Sequence, residues 1–288
     1  VTESQPSTPE SSEPSRGESA RGGAGVRAMF WMTASLLRPI MNLFLSKKWI
    51  DTEKLPAGRG IIVCPNHCTE IDPIIVGHML YNKRFPPHFL AKASLFRIPV
   101  VKQVLSGARQ IPVDRDGPGG GRSLQTAQAV LDDGGAIVIY PEGTLTPDPE
   151  LWPMKGRTGA ARLALKTGTP VIPVAHWGGQ ELFPRYAKMF RPFPRKRVRV
   201  IVGDPVDLSA FRDKPLTREL LHDATEAILA DITALLAGLR GEKPPAERWD
   251  PAQHQQSNHG RDMDQGHAPG AAQEPGDHRP NGASEGKP

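Results

Sequence analysis

Gly60-Ile61-Ile62-Val63-Cys64-Pro65-Asn66-His67-Cys68-Thr69-Glu70-Ile71-Asp72-Pro73 is the stretch on which the reading of this chain turns. It opens on a continuous apolar run rather than an alternation, the pattern of a strand covered on both faces. Pro73 suits the first position of a helix, and Asp72 before it reads as that helix's N-cap. A buried strand, a short polar turn and a helix start form the repeating unit of α/β sheets. Further apolar runs stand at 88–92, 108–113, 136–140, 169–175 and 197–202. Between them helical periodicity occupies 73–82, 122–132 and 157–166. A last helix at 217–239 repeats Leu220, Leu221, Ile228, Ile232, Leu235 and Leu236. The alternation predicts one α/β domain with a mixed, largely parallel central sheet flanked by helices.

Composition divides the 288 residues into unlike parts. Residues 1–25 hold no aromatic residue, and residues 241–288 hold one, Trp249. Both ends bury too little apolar surface to offset the entropy of ordering their backbone, which predicts a disordered leader at 1–25 and a disordered tail at 241–288. The expected folded domain is 51–240, preceded by a segment of another kind at 26–50. The two ends carry net charges of −2 and −3 against +5 for the whole chain, so residues 26–240 carry +10. A balance this basic favours an anionic partner: a phosphorylated ligand, nucleic acid or an anionic membrane surface. Residues 1–25 lack the apolar stretch of a signal peptide. Two cysteines, Cys64 and Cys68, exclude a disulfide-stapled scaffold. Their spacing around His67 does not match a zinc loop, so no metal is expected and both thiols read as buried or half-buried.

Residues 28–46, AMFWMTASLLRPIMNLFLS, are interrupted by Arg38, Pro39 and Asn42. They otherwise come close to the roughly 20 apolar residues of a membrane span. Ser35, Arg38, Asn42 and Ser46 recur on one helical stripe, while Met29, Met32, Leu36, Leu37, Ile40, Met41 and Phe44 fill much of the remaining surface. With Arg27 before it and Lys47-Lys48-Trp49 after it, the segment 26–50 reads as an amphipathic interfacial membrane helix. A tilted span and a core-facing helix are the alternatives.

In the turn after the first strand, His67 stands five residues before Asp72. On a continuous helix the two would diverge by about 140°, but a loop position for His67 lets the turn fold the imidazole back toward the carboxylate. An Asp accepting from Nδ1–H fixes the tautomer and leaves Nε2 to take a proton from an alcohol. The alternative is an Asp that only caps and a His that only turns. After another buried strand, Tyr140-Pro141-Glu142-Gly143-Thr144 puts a carboxylate beside a glycine, which suits either a substrate hydroxyl or a plain turn. Val113-Asp114-Arg115 ends a strand in a cation that can fork onto phosphate or pair with a neighbouring Asp. Met154-Lys155-Gly156-Arg157 sets two cations at a helix start, a place for an anion. Residues 117–121 are glycine-rich but lack the Gly-Lys-Ser/Thr ending of a P-loop. The run 183–199 mixes aromatics with seven cations yet contains no nucleic-acid module, so no nucleic-acid partner is expected; a basic rim at an anionic bilayer accounts for it.

In this order and spacing, the pieces resemble the 1-acylglycerol-3-phosphate acyltransferases of the glycerolipid acyltransferase group. That family's N-H-x4-D motif is matched by Asn66, His67 and Asp72. Its Ile-Asp-Arg-like strand end resembles Val113-Asp114-Arg115, and its Phe-Pro-Glu-Gly-Thr-Arg-Ser is similar to Tyr140 through Thr146. A later Lys-Gly corresponds to Lys155-Gly156, and an apolar strand around proline looks like Val171-Ile172-Pro173-Val174. The resemblance implies that 51–240 is an acyltransferase domain. It implies that His67, held by Asp72, deprotonates the free hydroxyl of a lysophospholipid such as 1-acylglycerol 3-phosphate. That oxygen would attack the thioester of acyl-CoA or acyl carrier protein, with no acyl-enzyme and no other cofactor. Asn66, Arg115, Glu142, Gly143, Thr144, Lys155 and Arg157 are the implied substrate-binding residues, with backbone N–H groups near Asn66 or Gly143 as oxyanion donors. Leu145 departs from the family's frequent Arg, which passes the acceptor's phosphate to Arg115, Lys155 or Arg157. The implied place is the cytoplasmic face of the cell membrane, peripheral or monotopic, with the lysophospholipid, the acyl donor and the anionic surface as partners. Glycerol 3-phosphate or a lysoglycolipid as acceptor, and a lipid-binding protein without activity, are the alternatives.

Overall fold

The computed structural model describes Ser35 and residues 38–107, 110–113, 120–187 and 189–254. Residues 38–44 form helix α1, followed by β1 (Leu45–Ile50), β2 (Ile61–Pro65), α2 (Asp72–Asn82), β3 (Pro87–Lys92) and α3 (Pro99–Gly107). Next come β4 (Ile111–Val113), α4 (Gly120–Asp132), β5 (Ala136–Val138) and α5 (Gly159–Thr167). The chain continues through β6 (Val171–Trp177), the single turn α6 (Gly179–Leu182), β7 (Lys196–Val202) and the long helix α7 (Arg218–Arg240).

The strands make one seven-stranded sheet in the order β1-β7-β6-β2-β5-β3-β4. Neighbours run parallel except β6 and β7, which are antiparallel. The expected mixed, largely parallel sheet is therefore present. Successive residues of β2 serve opposite layers, as the pleat requires. Ile62 and Cys64 join a core built with Ala161 and Leu163 of α5 and Ile228, Leu229 and Ile232 of α7. Ile61 and Val63 join the other core, with Ile75, Val76 and Met79 of α2 and Leu182 of α6. Every residue of β2 is buried, because helices cover both faces. Gly60 leads into it under a hard constraint: a Cβ there would lie 2.2 Å from the carbonyl oxygen of Leu131.

Two expectations about the ends are corrected. The segment 26–50 is not one helix: helicity ends at 44, and Leu45–Ile50 is an edge strand paired in parallel with β7, Leu45 opposite Lys196. Arg195 enforces the change by donating to the carbonyls of Asn42 and Leu45 at 2.8 and 2.9 Å, which serves acceptors left open where the helix stops. The part of the expected membrane helix before 38, apart from Ser35, lies outside the described residues. So does the leader at 1–25. Among the described residues no helix is long and apolar enough to cross a membrane.

The expected tail likewise begins too early at 241. Residues 241–254 pack back across the domain, held by polar contacts that composition does not reveal. Arg248 bonds Glu226 at 3.1 Å, Thr233 Oγ1 at 3.0 Å and the carbonyl of Pro153 at 3.4 Å. The N–H of Lys155 donates to the carbonyl of Trp249 at 2.9 Å, and the Trp249 ring stacks on His254. Residues 255–288 lie outside the described residues. Because Arg248 is the shared partner of three groups, Arg248→Ala should lower unfolding free energy by about 1–3 kcal/mol. Denaturant titration checks this; an unchanged midpoint would mean that the strap rests on the domain without stabilising it.

Candidate active site

β2 lies between β5 and β6, and the turns leaving the three strands converge where open α/β sheets place their sites. From β2 the chain enters the turn 66–71. Asp72 is the first residue of α2 and Pro73 the second, with Ile71 before them at the cap position. Contrary to the expected N-cap role, the carboxylate of Asp72 does not cap α2; it reaches back over the turn. Its Oδ2 accepts from the N–H groups of Cys68 at 2.7 Å and Thr69 at 2.8 Å. The same oxygen stands 3.0 Å from Nδ1 of His67. Asp72 is fully buried, whereas the His67 side chain keeps 16% of its surface open. The expected juxtaposition of His67 and Asp72 is present.

Glu142 clamps this turn from the side of β5. One carboxylate oxygen accepts from the N–H of His67 at 2.8 Å and the other from the N–H of Met154 at 3.0 Å. Burial pushes this carboxyl up to about 8, against the pull of those two donors. With both oxygens engaged and 1% of its surface exposed, Glu142 braces the turn of the site. Asn66 is corrected in the same way. Its amide donates to the carbonyl of His176 at 3.2 Å and accepts from the N–H of His176 at 2.9 Å, which extends the β2–β6 ladder past the strand's end. The backbone donors expected near Asn66 and Gly143 are also engaged: those of His67, Cys68 and Thr69 as above, and that of Gly143 by the carbonyl of Tyr140 at 3.0 Å.

Two residues belong to the site without having been singled out. The Tyr140 ring stacks on His67 with centroids 4.0 Å apart and planes at 27°. Its hydroxyl is buried with no hydrogen-bond partner among the described residues, and burial followed by the charge of Asp72 pushes the phenol well above its usual range. His176, fully buried at the end of β6, sets Nε2 2.8 Å from the carbonyl of Asn66 and 3.7 Å from Asp72 Oδ2. The signal for it was a lone histidine in an otherwise apolar strand. Cys68, Asp72 and His176 bring possible ligand atoms within 4.8 Å of one another. Asp72 is engaged by three donors and Nε2 of His176 by Asn66, while Nδ1 of His176 is buried with no partner among the described residues; the Cys68 thiol is pushed up by burial and then by Asp72 and Glu142. Cys64 is buried too, its thiol pushed up by burial alone.

Two cavities meet this core. The first, about 440 Å³, has His67 in its wall and runs among apolar side chains that include Phe89, Leu90, Leu95, Leu105 and Ile139. The second, about 490 Å³, is polar and is bordered by Glu142, Lys155, Arg157, Arg218, His222 and Asp250. Arg157 borders both. Its side chain lies across Gly143, where a Cβ would come within 2.6 Å of Arg157 Cδ; a φ of +75° makes that position a glycine's twice over. Thr144 is half-buried beside it. Lys155 is mostly exposed and paired with Asp250 at 3.1 Å. Leu145 is buried and lines neither cavity. Arg115 lies outside the described residues.

Known proteins resemble this chain in sequence and in fold. The Acyltransferase family model matches residues 48–177. The 1-acyl-sn-glycerol-3-phosphate acyltransferase of Bacillus subtilis (strain 168) is 29% identical over 203 residues, covering 69% of this chain and 93% of that protein. The protein of the same description from Borreliella burgdorferi is 34% identical over 139 residues, 46% of this chain and 51% of its own length. Among solved structures, the 1-acyl-sn-glycerophosphate (LPA) acyltransferase of Thermotoga maritima shares the fold with a TM-score of 0.59 at 21% identity, over 76% of this chain and 83% of that one. The family match spans β1 to β6 and so takes in His67, Asp72 and Glu142. Residues 48–177 thus match the Acyltransferase family model, and the chain is similar to proteins described as 1-acyl-sn-glycerol-3-phosphate acyltransferases.

Proposed function

We propose that the protein transfers a fatty acyl group from the thioester of acyl-CoA or acyl carrier protein to the free hydroxyl of 1-acylglycerol 3-phosphate, forming phosphatidic acid for phospholipid synthesis. The observation that carries this reading is the imidazole of His67, held through Nδ1 by Asp72 at 3.0 Å in the wall of an apolar cavity. With Nδ1–H given to the carboxylate, Nε2 is the basic nitrogen. It takes the hydroxyl proton as the acceptor oxygen bonds to the thioester carbon. Collapse of the tetrahedral species breaks the C–S bond, and the proton passes from Nε2 to the departing thiolate. The apolar cavity takes the acyl chain, and the polar one takes the acceptor's phosphate against Arg157 and Lys155. Arg157 is the stronger candidate, because it borders both cavities. The buried thiols of Cys64 and Cys68 favour direct transfer over an acyl-cysteine, since only a thiolate attacks well. The substrates live in membranes, so the protein works at a bilayer surface, on the cytoplasmic side where the acyl donors are made.

His67→Ala should cut thiol release from acyl-CoA by about 10²–10⁴-fold while the melting temperature holds, the loss of a positioned base. Turnover close to wild type would end the mechanism. Arg157→Ala should raise the acceptor KM about tenfold or more, since a hydrogen bond to a charged group contributes about 1.5–3 kcal/mol. Lys155→Ala should act in the same direction but less strongly. Both should leave the acyl-donor KM nearly unchanged. If wild type used 1-acylglycerol 3-phosphate and its dephosphorylated monoacylglycerol equally well, the acceptor would instead be a neutral or glycosylated lysolipid, as the buried Leu145 allows.

A further inference from the structure

The polar cavity draws its walls from three parts of the chain. The loop between β5 and α5 supplies Lys155 and Arg157, the start of α7 supplies Arg218 and His222, and the strap 241–254 supplies a wall that begins at Asp250. The family match ends at 177, so neither α7 nor the strap belongs to it.

The strap is fastened at this cavity. The backbone N–H of Lys155 donates to the carbonyl of Trp249 at 2.9 Å, and Lys155 Nζ donates to Asp250 Oδ2 at 3.1 Å. The other carboxylate oxygen of Asp250 accepts from the N–H of Ala252 at 3.0 Å, which fixes the side chain over its own turn. The N–H of Ala252 and then Lys155 hold the Asp250 carboxyl below its ordinary range, so it carries its charge throughout the neutral range. Glu142, the other acid in these walls, is engaged by the N–H groups of His67 and Met154.

A carboxylate among cations in a cavity suited to anions calls for a cause. Fastening the strap does not supply one, because Arg248 and the backbone bond between Lys155 and Trp249 hold it without the carboxylate. The Lys155 side chain keeps 54% of its surface open, and an ion pair that exposed adds little stability. What the pair does alter is the binding capacity of the ammonium. An anion entering the cavity must take Lys155 from Asp250, and it meets the charge of the carboxylate at close range.

We propose that Asp250 is a specificity-determining residue of the polar cavity: it competes with the ligand's phosphate for Lys155 and so limits how much negative charge the cavity accepts. The inference rests on the reading above, in which this cavity takes the phosphate of a lysophospholipid, and it adds the strap to that site. Transfer of the acyl group leaves the phosphate unchanged, so acceptor and product present the same group to Lys155. A competitor built into the wall weakens both, and Lys155 returns to Asp250 as the product leaves.

Asp250→Asn removes the charge but keeps an oxygen for the N–H of Ala252, so its melting temperature should match wild type. Line broadening in phosphorus NMR, with glycerol 3-phosphate as the probe, should show binding tightened about two- to fivefold, the range of an exposed ion pair. Asp250→Lys should tighten it further. The KM for 1-acylglycerol 3-phosphate should fall in step, while that for the dephosphorylated monoacylglycerol holds. On a Lys155→Ala background the gain from Asp250→Asn should shrink, because the contest needs the ammonium. Glu247→Gln removes a charge from the same strap outside the cavity wall and should change neither constant. Unchanged or weaker binding of glycerol 3-phosphate by Asp250→Asn would overturn the proposal. So would a gain of equal size without Lys155, or one matched by Glu247→Gln. Tighter binding by Asp250→Asn, in a protein that releases no thiol from acyl-CoA, would instead leave the role of Asp250 standing and remove the acyltransfer reading.

Discussion

A single buried carboxylate organises the site. Asp72 has no contact with water, so its oxygens must find donors inside the protein, and Oδ2 takes three: Nδ1–H of His67 and the backbone N–H groups of Cys68 and Thr69. A buried charge without such partners costs several kcal/mol. The turn is therefore drawn around the carboxylate, and the imidazole is fixed as a consequence of satisfying it. Glu142 meets the same demand from the other side through His67 and Met154, so two buried acids hold one short loop in a vice. The His67 ring is then confined between Asp72 and the stacked face of Tyr140, with its outer edge toward the apolar cavity.

The sheet makes this possible by bringing three strand ends together. β2 is central, its neighbours β5 and β6 come from later in the chain, and Asn66 closes the ladder against His176 after the strand has ended. Helices cover both faces of the sheet behind the turn. The buried acids and the buried histidine thus depend on each other and on the backbone for hydrogen bonds. This is the environment in which a preorganised base works best, because little must rearrange when charge develops.

What the sequence discloses follows from how local each interaction is. β2 and β6 were legible as apolar runs because both their faces are covered, and α7 because its leucines and isoleucines repeat over many turns. β1 was not legible. Its Leu45-Ser46-Lys47-Lys48-Trp49-Ile50 borders a longer apolar segment, and only pairing with β7, far along the chain, makes it a strand. α3 escaped because Pro99-Val100-Val101 favours extended backbone locally. The strap at 241–254 looked like tail because its order comes from Arg248 and Lys155 contacts with distant groups. At the site, spacing identified His67 and Asp72. It could place Glu142 and Asn66 at strand ends but not say which way they turn, and both turn inward.

The central claim is that the base held by Asp72 activates the acceptor's hydroxyl directly, with no nucleophile of the enzyme's own. Thiol release from acyl-CoA, followed on the millisecond scale with and without 1-acylglycerol 3-phosphate, tests it most directly when paired with the intact mass of the protein. The account predicts release only when the acceptor is present and a protein mass unchanged throughout. A burst of thiol equal to the enzyme concentration without acceptor, with an acyl group added at Cys68, would contradict it.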